Sequence, residues 1–207
     1  MSPYRLYLVT DDQQDLKTLV HVVKEAVAGG VTMVQVREKG NDIQSFIKRA
    51  QAVKAILEGT GVALIINDRV DVALAVDADG VHLGQSDMPA SIARQLIGPT
   101  KLLGLSVETD QQLLDANALP LDYIGLSAIY STPTKTDIKK QWGLIGLYGA
   151  LKKSKFPIVA IGGINPGNLD QIIKTGVDGV ALVSAICHAQ SPKIATQEIL
   201  SQIKAAE

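Results

Sequence analysis

Residues 63–87, ALIINDRVDVALAVDADGVHLGQSD, decide the fold. Ala63–Ile66 is a short aliphatic run of the kind found in strands buried on both faces. Asn67-Asp68-Arg69 ends it with polar groups, Val70–Val76 carries a short helix, and Gly80–Leu83 is a second apolar run. Gly84-Gln85-Ser86-Asp87 then repeats the polar ending. Strand, polar turn, helix and strand make one parallel βαβ unit.

The same unit recurs in both directions. Upstream, strands are predicted at Arg5–Thr10 and Met33–Arg37. Helical stripes run through Leu16, Leu19, Val20, Val23 and Val27, closed by Gly29-Gly30, and through Ile43, Ile47, Ala50, Val53, Ala55 and Leu57. Downstream, a helix from Ala90 to Leu96, with Pro89 at its start, precedes a strand at Leu102–Ser106. A helix at Asp110–Ala116 precedes a strand at Asp122–Ser127. After a longer loop, a helix around Ile145–Lys153 precedes Ile158–Ile161, a helix at Asn168–Thr175 precedes Gly179–Val183, and a last helix covers Ile194–Ile203. Eight such units predict an α/β fold, a (β/α)8 TIM barrel, and no linker divides residues 1–207, so one domain is expected. A doubly wound open sheet would carry fewer units and a glycine-rich turn after its first strand, where this chain has Thr10-Asp11-Asp12.

The bulk composition fits that reading. Hydrophobic residues make up 46% and aromatics only 4%, which favours an aliphatic core. A formal net charge of -1 and the absence of a basic stripe argue against nucleic acid, and no apolar run reaches the roughly 20 residues of a membrane span. No secretory signal is read in Met1–Leu8, so a cytoplasmic enzyme is expected. The single cysteine, Cys187, reads as a small packed residue.

Barrel enzymes work at the carboxyl ends of their strands, so the chemistry is sought there. Gln35, Arg37 and Lys39 alternate with Val36 and Glu38, and share one face if the extended geometry continues. An inward Arg and Lys suit an anionic phosphate, although a solvated strand end would look the same. Asp68 and Asp87 follow adjacent strands, and two carboxylates completed by phosphate oxygens and water are a common Mg²⁺ arrangement; both also suit helix caps. Gly162-Gly163 after the seventh strand and Val183-Ser184 after the eighth sit where this fold builds backbone phosphate pockets. The loop Thr132–Asp137 adds hydroxyls and Lys135, or is only a turn. Two separate phosphate-binding sets suggest two substrates. His82 reads as a satisfied core histidine, His21 and His188 have no marked partner, and Trp142 either covers the long loop or closes the site.

Taken together these residues resemble the thiamine-phosphate synthase family. The likeness runs from Tyr7-Leu8-Val9-Thr10-Asp11 to Val183-Ser184-Ala185-Ile186, and its most specific pieces are Gln35-Val36-Arg37-Glu38-Lys39, Asn67-Asp68-Arg69, Gly80–Gln85 with Asp87, Thr132-Pro133-Thr134-Lys135 and Ala160–Ile164. The resemblance implies that hydroxymethylpyrimidine diphosphate is joined to a thiazole phosphate, or its carboxylated form, giving thiamine phosphate and pyrophosphate. It implies that Gln35, Val36, Arg37, Glu38, Lys39, Asn67, Ser106 and Lys135 hold the pyrimidine diphosphate, with Arg37, Lys39, Ser106 and Lys135 serving catalysis. Asp68 and Asp87 would hold one Mg²⁺ per subunit, and Thr132, Pro133, Thr134, Gly163, Val183 and Ser184 the thiazole phosphate. The partners implied are these small molecules, with a homodimer left open. Two departures stand out: Glu108 occupies a position that is often His in the family, and Ile138–Trp142 looks less family-like than its surroundings. The rival readings are a thiazole tautomerase of the same superfamily and a non-catalytic sensor of thiamine precursors.

Overall fold

The computed structural model describes residues 2–132 and 140–206. Eight parallel strands close into a barrel in sequence order: β1 (Leu6–Val9), β2 (Met33–Val36), β3 (Ala63–Asn67), β4 (Gly80–Leu83), β5 (Leu102–Val107), β6 (Tyr123–Ser127), β7 (Ile158–Ile161) and β8 (Gly179–Leu182). The helices are α1 (Leu16–Gly29), α2 (Ile43–Leu57), α3 (Val70–Ala75), α4 (Ala90–Ile97), α5 (Asp110–Ala116), α6 (Gly143–Lys153), α7 (Leu169–Ile173), α8 (Ser184–Cys187) and α9 (Pro192–Ala206). The short α8 was not expected from the sequence, because four residues are too few to show a helical period. No helix among the described residues is long and apolar enough to cross a membrane.

Closure is pinned at the amino-terminal end by a device repeated four times. The residue before each even strand uses its side chain to accept a backbone N–H from the preceding odd strand. Leu6 N donates to Thr32 Oγ1 at 3.1 Å, Leu64 N to Asp79 Oδ2 at 2.7 Å, Leu103 N to Asp122 Oδ2 at 2.7 Å, and Ile158 N to Asp178 Oδ2 at 2.8 Å. Each of these residues also donates its own N–H to the carbonyl of the same strand residue. The barrel is therefore stitched in two-strand quarters, each held in register at its foot.

Two apolar layers follow from strand alternation. One lies between strands and helices and includes Leu8, Val34, Val36, Leu64, Ile66 and Val81. The other fills the barrel itself with Tyr7, Val9, Met33, Ile65, Tyr123, Val159 and Ala181. The stripe on α2 differs from expectation: Phe46 and Arg49 are buried there, while Ile43 is 41% exposed. Arg49 can face inward because its charge is taken up locally, as described below.

Candidate active site

At the carboxyl ends of the strands the barrel opens into a cavity of about 660 Å³, the size of a small-ligand site. Gln35, Arg37 and Lys39 from the end of β2 all line it, as do Asn67, Asp68, Asp87, Ser106, Thr132, Gly163, Val183 and Ser184. The side chains of Val36 and Glu38, implied with them as pyrimidine-diphosphate ligands, are not in the lining. The alternation that aims Arg37 and Lys39 inward sends Val36 into the layer beneath the helices, where it is fully buried. Glu38 turns towards α2 and pairs with Arg49 at 2.6 Å, and Arg49 also donates to the Gln14 carbonyl at 2.8 Å. That pair clamps the segment between the two cavity cations. Pro133, Thr134 and Lys135 lie outside the described residues.

The wall made by β2, β3 and β4 is charged. Arg37 is set from two sides: its N–H donates to the buried Thr10 hydroxyl at 3.0 Å, and its guanidinium lies 3.8 Å from Asp12. Lys39 Nζ sits 2.6 Å from Asp68 Oδ2. Asp68 adopts φ 63°, a left-handed conformation that Asp tolerates, and its N–H donates to the His82 carbonyl at 2.8 Å. Asp87 accepts the Gly84 N–H at 2.7 Å, while the start of α4 has no side-chain cap. The alternative reading of Asp87 as a helix cap is thereby set aside. Burial raises the Asp87 carboxyl above the usual carboxylate range, the neighbouring Asp68 raises it further, and the Gly84 N–H and Lys39 pull it back. Two adjacent carboxylates match the oxygen donors a divalent cation prefers. No third acidic, His or Cys side chain completes such a site among the described residues, so further oxygens would come from ligand or water. Asn67 adds an orphan: its Nδ2 is buried without a partner, on a side chain only 7% exposed.

Across the cavity stands a wall of backbone. Gly162 and Gly163 have φ 99° and 66°. Their side-chain-free surface is needed by the protein first: a Cβ on Gly163 would come 2.5 Å from the Ser131 carbonyl oxygen, and one on Gly162 would come 2.6 Å from Ala128 Cβ. The loop after β6 leans on this turn, with Tyr130 N donating to Gly162 O at 3.0 Å. Asn168 Nδ2 donates to the Gly163 carbonyl at 2.9 Å, which holds this turn in the cavity wall beside Val183 and Ser184. No backbone acceptor engages the N–H of Gly163 or Ser184 among the described residues.

Two lining residues escaped the sequence reading: Tyr7 and Tyr123, both buried in the floor. His82 and Glu108 line the cavity at 8% and 7% exposure, and His82 has both ring nitrogens hydrogen-bonded, as expected of a satisfied buried histidine. Counting back two from Ser127 along β6 gives Gly125 and Tyr123, so period-two alternation was the available signal. His188, expected to lack a partner, lies 2.6 Å from Asp11. Trp142 does not line the cavity; it is buried, and its Nε1 donates to the Ser127 carbonyl at 3.1 Å, anchoring the chain to β6. Cys187 is buried with its Sγ 3.6 Å from the Val9 carbonyl, and burial pushes the thiol up to about 12. It is a packed residue, as expected.

A family profile described as thiamine monophosphate synthase matches residues 6–186. This chain belongs to the thiamine monophosphate synthase family. The thiamine-phosphate synthase of Vibrio parahaemolyticus is 71% identical over 201 residues, covering 97% of this chain and 98% of that protein. The thiamine-phosphate synthase of Vibrio campbellii is 68% identical over 204 residues, covering 99% of this chain and 100% of that one. Among solved structures, the thiamine phosphate pyrophosphorylase of Pyrococcus furiosus superposes with a TM-score of 0.89 at 35% identity, covering 99% of this chain and 98% of that one. Within the thiamine monophosphate synthase family, then, this member keeps a charged wall and a backbone wall on opposite sides of one barrel mouth.

Proposed function

We propose that this chain is a transferase that joins hydroxymethylpyrimidine diphosphate to a thiazole phosphate, releasing pyrophosphate and forming thiamine phosphate. The observation that carries the reading is the opposition, within one cavity, of Arg37, Lys39, Asp68 and Asp87 to the Gly163 and Ser184 backbone. A single anion needs only one of these walls. A tautomerase acting on the thiazole alone would have no use for the charged one.

The pyrimidine diphosphate lies against the charged wall, with Gln35, Asn67 and Ser106 beneath it. Arg37 and Lys39 meet the diphosphate oxygens, Arg with paired donors and Lys as a point charge. Asp68 and Asp87 would hold a Mg²⁺ ion, which would supply positive charge to offset that of the pyrophosphate group. The bond from the methylene carbon to the diphosphate oxygen breaks and its electron pair leaves with pyrophosphate. The thiazole nitrogen gives its lone pair to that carbon, making the new carbon–nitrogen bond and a thiazolium. No proton moves, so no general base is required. The Gly163, Val183 and Ser184 backbone holds the thiazole phosphate so that its nitrogen faces the methylene, and placement of two reactants supplies much of the rate. Thr132 lines the cavity, and Pro133, Thr134 and Lys135 are further ligands that the family resemblance implies.

The test is pyrophosphate release from purified protein. Release is expected only with both substrates and a divalent cation, and a chelator should stop it. Asp68→Ala should remove turnover while leaving the melting temperature within a few degrees. Tautomerisation of the thiazole without pyrophosphate release would overturn the reading.

A further inference from the structure

The floor of the cavity holds a hydrogen-bonded chain whose ends, Gln35 and Ser106, are two of the three residues proposed above to lie beneath the pyrimidine. Gln35 Nε2 donates to the Tyr7 hydroxyl at 2.7 Å. The Tyr7 and Tyr123 hydroxyls are 3.0 Å apart, Tyr123 lies 3.0 Å from His82 Nδ1, and His82 Nε2 lies 2.9 Å from Ser106 Oγ. Its interior is fully packed. Tyr7 is 1% exposed and Tyr123 0%, and a Cβ on Gly104 would come 2.2 Å from Tyr123 Cζ and 2.5 Å from His82 Nδ1. Strand β5 thus gives up a side chain to make room for the two rings.

Each hydroxyl in this chain has one proton to give. Burial pushes both tyrosines above their ordinary range, so neither loses that proton near neutrality. With a neutral imidazole, and with each tyrosine proton donated within the chain, the chain is polarised in one of two ways, and each fixes both ends together. In one, Gln35 donates to Tyr7, Tyr7 to Tyr123, Tyr123 to His82 Nδ1, and His82 Nε2–H to Ser106. The Gln35 carbonyl oxygen and the Ser106 proton are then left for the ligand. In the other, every bond reverses, and Gln35 offers an N–H while Ser106 offers a lone pair.

We propose that Tyr7, Tyr123 and His82 are positioning residues that read the pyrimidine through this polarity. The exocyclic amine of the substrate donates to Gln35 Oε1. That contact fixes His82 as the Nε2–H tautomer, which turns the Ser106 hydroxyl proton towards an acceptor on the same substrate. An oxo group in place of the amine presents an acceptor at Gln35, so it meets the wrong polarity at both ends rather than one. Discrimination is thereby shared between two sites joined through the floor. The inference rests on the pyrimidine lying over Gln35 and Ser106, as proposed above.

The experiment is a two-bond ¹⁵N–¹H correlation spectrum of the labelled full chain, with and without the aminopyrimidine monophosphate. The sequence has three histidines, and His21→Gln and His188→Gln identify the His82 signals by elimination. The expected result is an Nε2–H, Nδ1-acceptor pattern for bound His82. An Nδ1–H pattern, or protons on both nitrogens, overturns the proposal. Calorimetric binding of the amino and oxo monophosphates then tests the coupling without involving the chemical step. Tyr123→Phe, with Tyr7→Phe as a second variant, should reduce the amino-over-oxo preference about tenfold, the size of one hydrogen bond, while thiazole phosphate affinity holds. An unchanged preference, or an equal loss for both pyrimidines and the thiazole, overturns it. Wild-type turnover measured alongside keeps the two claims apart: a protein that makes thiamine phosphate with His82 as Nδ1–H refutes the relay alone.

Discussion

Arg49→Met should loosen the site from behind without touching it. Arg49 and Glu38 are 2.6 Å apart with side chains 9% and 13% exposed, so the pair is nearly out of water. Removing one member of a buried pair costs about 3–5 kcal/mol, and the residual exposure of Glu38 places this case near 3. For a chain of this size that lowers the melting temperature by roughly 6–12 °C. Burial already raises Glu38, with Arg49 opposing the rise and Asp12 adding to it, so losing the guanidinium raises it further. The sign follows: a carboxyl raised on folding binds its proton more tightly folded than unfolded, so the penalty is full above the folded pKa and fades as pH falls through it. The Arg49→Met deficit should therefore shrink from pH 8 towards pH 5. Arg49→Met with Glu38→Gln should recover most of the loss, since no charge is left stranded. Because Glu38 sits between Arg37 and Lys39, KM for the pyrimidine diphosphate should rise several-fold in the single variant. Thermal melts across pH and steady-state kinetics check all three effects. A single variant as stable as the double one, or a deficit that grows on acidification, would refute the reasoning.

Asp79→Ala should cost about 2 kcal/mol by stripping the Leu64 N–H of its charged acceptor, with KM unchanged because the stitch lies at the far end of the barrel; urea melts and kinetics together check this. Cys187 should not react with a disulfide reagent at pH 8 while the protein is folded, because burial holds the thiol near 12; reaction should begin only with denaturation, followed by absorbance of the released thiol.

The barrel was legible because parallel strands covered on both faces read as unbroken aliphatic runs, and polar endings marked their outlets. The same alternation placed Gln35, Arg37 and Lys39 correctly within the mouth, and it also removes Val36 and Glu38 from it. What escaped was coupling between strands. Nothing local in the sequence shows that Tyr7, Tyr123 and His82 meet, since they stand 116 and 41 residues apart along the chain and are joined only by closure. Arg49 was missed for a related reason. A charge inside a helical stripe breaks the hydrophobic pattern, and only the folded position of Glu38 explains it. The acceptors Asp79, Asp122 and Asp178 were not singled out in the sequence, although each stands just before an even strand.

The central claim is that two anionic ligands occupy opposite walls of one cavity at the same time. Calorimetric titration of thiazole phosphate into protein already saturated with inorganic pyrophosphate and Mg²⁺ tests it most directly. The account predicts that thiazole phosphate binds with its affinity kept or improved, and that Lys39→Ala abolishes only the pyrophosphate step. Competition between the two ligands, with one displacing the other, would contradict it.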